Sequence, residues 1–206
     1  MLIASSVVYL CSIFCAYIIG GLPLGYWYAK YYYGIDVTAH GSGNIGATNV
    51  ARVLGSKWHF FLIFIGDFLK AFSVLLIAQF LSVSMLHQLS VDYFLLAIAC
   101  VLLLGNAFSP FLQFRGGKGV ATTVGILAAI APSSLLLIFL LVWGMIFALG
   151  RRVDLASISA MGITALSSAV IAQNFLATSF FLFLFCFSLV RHKENLKKYL
   201  HQVKQH

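Results

Sequence analysis

Long apolar runs alternate with short polar ones along this chain. The runs are too long for buried strands and too uniformly greasy for the amphipathic helices of a soluble fold. Taken in order they predict apolar helices at 2–28, 58–81, 92–112, 119–131, 133–150, 155–172 and 175–190, then a basic tail at 191–206. The expected fold class is an all-α integral membrane protein, a seven-transmembrane-helix bundle making one polytopic domain over residues 1–206. Gly20, Gly21 and Pro23 are expected to bend the first helix. The fourth is short, since the 13 residues of 119–131 rise only about 20 Å against a hydrocarbon core of about 30 Å. The glycine-rich stretch before it is therefore expected to dip into the membrane as a re-entrant segment. Irregular backbone is tolerated there only where it lines protein or a water-filled cavity, so the helix would aim its positive N-terminal end into that cavity.

Composition agrees with the pattern. Of 206 residues, 62% are hydrophobic and 9% charged, with a mean hydropathy of +1.00, which leaves no room for a separate soluble domain. The first run lacks a basic leading segment and a small-residue cleavage site, so it is expected to be a retained helix and not a removed signal. Cys11, Cys15, Cys100 and Cys186 all fall in apolar runs, where cysteine acts as a small hydrophobe, with neither zinc spacing nor a disulfide framework. Asp and Glu, five in all, are too few and too scattered for an oxygen cage, so no metal and no cofactor are expected.

Charge adds orientation. The formal net charge is +8, but the cations form no stripe on a soluble domain, so a nucleic-acid partner is not expected. Lys30, Arg52 and Lys57, then Arg115 and Lys118, then Arg151 and Arg152, then the tail all fall on one side of a seven-span topology. The links at 82–91, 131–133 and 173–174 hold no Lys or Arg, and Lys70 alone lies apart. By the excess of basic residues in cytoplasmic loops, the amino terminus is expected outside and the carboxyl terminus in the cytoplasm.

Three segments on the basic side carry the same equipment. The run Gly41-Ser42-Gly43-Asn44-Ile45-Gly46-Ala47-Thr48-Asn49-Val50-Ala51-Arg52 combines glycines that expose backbone N–H groups, hydroxyls and amides on Ser42, Asn44, Thr48 and Asn49, and the Arg52 guanidinium. The segment from Arg115 to Thr123, opening Arg115-Gly116-Gly117-Lys118-Gly119, repeats the theme with Lys118, and Arg191-His192-Lys193-Glu194-Asn195 adds a third set. Such surfaces hold phosphate. The first run satisfies G-x-G-x-x-G, but a dinucleotide fold needs a strand before it and none is predicted; the second lacks Walker spacing. Asp67 and Lys70 share a helix face inside a span, where an ion pair either orders the bundle or supports a cavity wall.

At these residues the chain resembles the bacterial acyl-phosphate:glycerol-3-phosphate acyltransferase family. The family pattern G-S-G-N-x-G-A-T-N-x-x-R matches residues 41–52 without a mismatch, G-G-K-G-V-A-T matches 116–122, and H-R-E-N reads His192-Lys193-Glu194-Asn195. Asp67 and Lys70 match a D-x-x-K in the second span. The resemblance covers nearly the whole chain in order and spacing. It implies transfer of a fatty acyl group from acyl phosphate to glycerol 3-phosphate, giving lysophosphatidic acid and phosphate, the first step of bacterial phospholipid synthesis. The implied catalytic residues are Ser42, Lys118, His192 and Asn195. The substrate and phosphate would be held by Ser42, Gly43, Asn44, Thr48, Asn49, Arg52, Gly116, Gly117, Lys118, Gly119, Ser157, His192 and Asn195, with Asp67, Lys70 and Glu194 supporting the pocket. The implied setting is the bacterial cytoplasmic (inner) membrane, with membrane lipid around a monomer and coupling to an acyl-phosphate-forming enzyme.

Departures from the pattern are local. Arg152-Val153-Asp154-Leu155-Ala156-Ser157 has Arg152 and Asp154 where the family has Tyr and Ser, although Ser157 is kept. Asn106 stands where the family has His, and Ser109 where it has Pro. His87-Gln88-Leu89-Ser90-Val91-Asp92 fits the H-x-x-x-x-D dyad of another glycerolipid acyltransferase family, but the topology sets it across the bilayer from the cationic loops and it is read as coincidence. The rival functions are a transporter of a phosphate-bearing solute and a homologue that binds the substrates without turning them over. An internal repeat, which would favour a transporter, is not evident.

Overall fold

The computed structural model describes residues 2–83 and 88–203. Among them every regular element is helical: α1 (Leu2–Gly21), α2 (Leu24–Tyr33), α3 (Ala47–Leu54), α4 (Lys57–Val83), α5 (Gln88–Ala107), a 3-10 turn at Pro110–Leu112, α6 (Val120–Ile130), α7 (Ser133–Gly150), α8 (Val153–Ile171) and α9 (Phe175–Val203). The chain divides into two compact units, Met1–Ile130 and Ala131–His206. His87, the first member of the coincidental dyad, lies outside the described residues.

In the first unit α1 and α5 meet backbone to backbone. A Cβ on Gly20 would strike the Leu102 carbonyl, and one on Gly105 would strike the Tyr17 carbonyl. Small residues are what allow this approach where no water is available to drive packing. At the same end Tyr17 donates to the Phe108 carbonyl at 2.7 Å, and Ser109 Oγ donates to the Gly21 carbonyl at 2.6 Å. α4 packs on α6 through Gly125, which lies against the Phe68 backbone and the Ala71 methyl. Beneath the chain that joins α2 to α3, Ala29, Val37, Ile45, Ala47, Val50 and Ile63 form an apolar core, with Phe60, Phe64 and Leu112 packed against it.

The first expected helix is two. Pro23 has no N–H to continue α1, and α2 leaves at 44° to the preceding helix. The break exposes the Leu22 carbonyl, which accepts from Lys70 Nζ at 3.1 Å, while Lys70 Nζ lies 2.7 Å from Asp67 Oδ1. A cation at the carboxyl end of a helix also suits the helix dipole.

In the second unit α8 packs against both α7 and α9. Its small residues Ala156, Ala160 and Ala165 are buried, as are Phe180, Phe181 and Leu184 of α9. Gly162 accepts the edge of the Phe185 ring.

Among the described residues five helical stretches, Lys57–Ser82, Val91–Leu112, Ser133–Gly150, Val153–Ile171 and Phe175–Lys197, are long and apolar enough to cross a membrane, and the bent pair makes six if it counts as one span. Their outward faces are apolar too, with Trp58, Phe61, Ile65 and Phe80 of α4 all exposed, as expected of helices in lipid. α6 is the short one, its 11 residues rising about 16 Å. Two features differ in detail from the sequence pattern. The polar stretch 29–56 contains the end of α2 and all of α3, and α9 runs through the basic tail to Val203 because no Gly or Pro interrupts residues 175–206.

Candidate active site

The first cationic loop is built around Asn49. This residue sits in the first turn of α3, is only 2% exposed, and turns its carboxamide back under the loop. Nδ2 donates to the carbonyls of Val37, His40 and Asn44 at 3.1, 3.1 and 2.8 Å, and Oδ1 accepts from the Ser42 amide at 2.9 Å. Expected from sequence among the phosphate-binding residues, Asn49 spends its polar groups on the loop itself. Asn44 Oδ1 likewise accepts from the Gly46 amide at 2.8 Å, at the N-cap of α3. Gly41 and Gly43 both have positive φ, 62° and 68°, and a Cβ on Gly41 would collide with Asn49 Oδ1. Glycine is required there on both counts.

The bracing leaves Ser42 and Arg52 exposed. Thr48 is half-buried one helical turn before Arg52. Among the described residues no carboxylate pairs with Arg52. Asp36 fixes the other end of the loop, accepting from the Thr38 amide at 2.9 Å and from the Thr38 hydroxyl. The Thr38 hydroxyl, backed by its amide, holds the Asp36 carboxyl below the usual carboxylate range.

The second loop hangs from the end of α5. Gly117 N donates to the Asn106 carbonyl at 2.9 Å, and a Cβ on Gly116 would strike the backbone of Asn106 and Ala107. Gln113 and Phe114, which lead into it, both have positive φ, 53° and 60°. Such a conformation is costly for Phe. Gly119, also at positive φ, turns the chain into α6, so Lys118 precedes a helix N-terminus whose orphan N–H groups favour anions.

Both loops stand at the same end of the first unit. Leu112, in the turn that opens the second, packs on the core beneath the first, and Phe111 meets Trp27 of α2 edge to face at 5.4 Å. Asp67 and Lys70 serve the α1–α2 break that carries α2 toward this end.

In the second unit, His192 is 1% exposed, and its Nδ1 lies 2.9 Å from the Ser188 carbonyl. A carbonyl only accepts, so Nδ1 carries a proton, and in the neutral form of the ring the lone pair falls on Nε2. Asn195 follows one turn later on α9. Glu194 is on the exposed side, 3.5 Å from Lys197 Nζ. Ser157 donates to the Val153 carbonyl at 2.7 Å and accepts from Trp143 Nε1 at 3.1 Å. In this arrangement its hydroxyl offers a ligand a lone pair and not a proton.

Two residues outside the expected set of site residues belong with the second loop. Asn106 is 5% exposed, and its Oδ1 has no hydrogen-bond partner among the described residues. The same is true of Thr122 Oγ1 in the first turn of α6, which is fully buried. Thr122 closes the G-G-K-G-V-A-T motif, which is the signal that marks it; Asn106 is marked only as a departure from the family pattern. Among the described residues no group of three or more His, Cys, Asp or Glu is arranged to hold a metal ion.

Comparison with known proteins places this arrangement. The family model described as glycerol-3-phosphate acyltransferase matches residues 10–202. The chain is 36% identical over 185 residues to a glycerol-3-phosphate acyltransferase of Desulforudis audaxviator, covering 90% of this chain and 88% of that one. It is 38% identical over 188 residues to one of Aquifex aeolicus, covering 90% and 92%. Among solved structures it is similar to PlsY (YgiH), an integral membrane glycerol 3-phosphate acyltransferase, in its glycerol 3-phosphate form, with a TM-score of 0.84 at 35% identity over 95% of this chain and 93% of that one. For the lysophosphatidic acid form of PlsY the TM-score is 0.82. An all-helical integral membrane protein matched along nearly its full length, this chain belongs to the glycerol-3-phosphate acyltransferase family.

Proposed function

We propose that this chain transfers a fatty acyl group from acyl phosphate to glycerol 3-phosphate, releasing lysophosphatidic acid and inorganic phosphate. The observation that carries the reading is the braced 41–52 loop. Buried Asn49 holds Gly41 to Gly43 in place from below and leaves Ser42 and Arg52 exposed, in a chain whose solved relative has a glycerol 3-phosphate form and a lysophosphatidic acid form. These are the acceptor and the product of one acyl transfer.

Acyl phosphate is a mixed anhydride, so phosphate is a good leaving group and no covalent enzyme intermediate is needed. The acceptor hydroxyl attacks the carbonyl carbon, the new ester C–O bond forms, and the carbonyl carbon's bond to the phosphate oxygen breaks. The hydroxyl proton passes to a base. The protein's work is to place two anions together and to stabilise the charge that develops. Arg52 suits a phosphate as a two-pronged donor and Lys118 as a point charge. Ser42, Thr48 and the backbone N–H group of Gly119 add neutral donors, while Gly43 and Gly117, whose N–H groups donate to the His40 and Asn106 carbonyls, shape the loops together with Asn44 and Gly116. His192, with its lone pair on Nε2, is the proposed base, the substrate phosphate being its competitor for that role. Asn195 is proposed to bind beside it, and Ser157 to accept from a substrate hydroxyl.

We further propose seven spans in the bacterial inner membrane, the amino terminus outside and the carboxyl terminus in the cytoplasm. The support is the placement of all Lys and Arg but Lys70 in alternate loops. A monomer is proposed as the working unit, supplied by an acyl-phosphate-forming enzyme.

The test is to give purified protein labelled glycerol 3-phosphate with palmitoyl phosphate, palmitoyl coenzyme A or palmitoyl acyl-carrier protein in turn. Labelled lysophosphatidic acid is expected with palmitoyl phosphate alone. Product from either thioester in the absence of acyl phosphate would replace the proposed donor.

A further inference from the structure

The two departures at the start of α8 fit one another. Arg152 is the N-cap of α8 and Asp154 lies in its first turn. The guanidinium meets the carboxylate at two points, Nη2 to Oδ2 at 2.8 Å and Nε to Oδ1 at 3.3 Å. Asp154 is nearly buried, its side chain 8% exposed against 30% for Arg152. A fork held on one edge by a carboxylate has a fixed plane, and the face of this one lies over the Tyr199 ring, Cζ 4.3 Å from the centroid. The start of α8 thus grips α9 two turns beyond His192.

Tyr199 is on the stripe that matters. His192, Asn195 and Tyr199 are spaced i, i+3 and i+7, so they share one face of α9, while Lys193 and Glu194 lie on the exposed side. We propose that Arg152, Asp154 and Tyr199 form a clamp that sets the rotation of the last third of α9 about its own axis, and so positions His192 and Asn195. The proposal rests on the catalytic reading of His192 and Asn195 given above; the three clamp residues are positioning residues that touch no substrate. With a helix radius of about 5–6 Å, a 20° rotation displaces a side chain by about 2 Å, and misplacement by about 1 Å can cost about a hundredfold in rate. Holding the helix at Tyr199 is therefore worth more to turnover than to stability. It also accounts for Arg152 and Asp154 occurring together where the family has Tyr and Ser: each needs the other, since Asp154 without Arg152 would be a nearly buried, unpaired carboxylate.

The experiment uses the full-length protein in lipid nanodiscs and four forms: wild type, Arg152→Ala, Tyr199→Leu and Tyr199→Phe. Two readouts are taken, amide hydrogen exchange of residues 192–203 and steady-state kinetics with glycerol 3-phosphate and palmitoyl phosphate. Arg152→Ala and Tyr199→Leu are expected to speed exchange in that segment by about fivefold, the worth of a cation–π contact of this kind. Both should also lower kcat by about tenfold with KM changed less than kcat. Tyr199→Phe keeps the ring and is expected to match wild type on both counts. Unchanged exchange in Arg152→Ala would overturn the clamp. So would loss of activity in Arg152→Ala alongside normal turnover in Tyr199→Leu, which would make Arg152 a direct substrate contact. If wild type made no lysophosphatidic acid, the proposed function would fail, while the exchange readout would still decide whether the clamp exists.

Discussion

Lys70 reaches across from α4 to the Leu22 carbonyl, 3.1 Å away at the break between α1 and α2, with Asp67 at 2.7 Å as its counter-ion. The ion pair thus has a structural role, because Lys70 gives the Leu22 carbonyl a second, charged donor beside the Leu24 amide at 3.0 Å, at a break in the backbone inside an apolar bundle.

Lys70→Met should therefore remove about 3 kcal/mol of stability, because it leaves the Asp67 carboxylate unpaired inside the bundle and leaves the Leu22 carbonyl with the Leu24 amide as its remaining donor. Thermal unfolding in detergent measures it. The double variant Asp67→Asn with Lys70→Met should recover part of the loss, since the orphaned charge is gone. An unchanged midpoint for Lys70→Met would contradict the role assigned to it.

Asn49→Asp should be at least as damaging as Asn49→Ala. A carboxylate cannot donate to the Val37, His40 and Asn44 carbonyls and would repel all three. With net worths of about 1 kcal/mol per bond, loss of the brace should raise KM for glycerol 3-phosphate by tenfold or more, at the order of about 1.4 kcal/mol per decade. Acyl-transfer kinetics on the two variants decide this, and a normal KM in Asn49→Asp would count against a braced loop.

Gly116→Ala adds one methyl where the second loop meets the Asn106 and Ala107 backbone. Backbone cannot step aside as a flexible side chain can, so overpacking of about 1–3 kcal/mol is expected. It should appear as lost activity with the overall fold kept. Gly144, with nothing near its Cβ position, is the control and should tolerate Ala.

Acid should loosen the first loop through Asp36. Its carboxyl is held low by the Thr38 hydroxyl, so the contribution is fully present above the unfolded value of about 3.9 and disappears as pH falls through the lower folded value. Amide exchange in residues 34–46 should rise below about pH 4 in wild type, and Asp36→Asn should flatten that rise. Identical pH profiles for the two proteins would contradict the assignment.

The helical, membrane-spanning character was legible because hydropathy acts over whole runs: α7 is apolar on nearly every face past its first two serines, and α4 and α8 stay apolar on average despite their few polar residues. The break at Leu22 was legible only as a bend, since a Pro says that a hydrogen bond is lost but not that a lysine 48 residues away will replace it. The site was legible by residue type and less so by role. Residues 41–52 announce an anion-holding loop, yet nothing in the pattern says that the Asn49 amide points inward while Ser42 and Arg52 stay exposed. Glu194 and Asn195 are adjacent in sequence, and only the helical rotation of α9 puts Glu194 on the exposed side. The same rotation matters at position 199, which no motif marks.

If acyl transfer depends on cations that grip substrate phosphate, removing the Lys118 ammonium should cripple it. In the palmitoyl phosphate assay Lys118→Ala, folded as judged by thermal unfolding, should lose about a hundredfold or more in kcat/KM, corresponding to about 3 kcal/mol for a charged contact to a buried anion. A Lys118→Ala enzyme with near-normal kcat/KM would mean that the Lys118 cation does not hold the substrate phosphate.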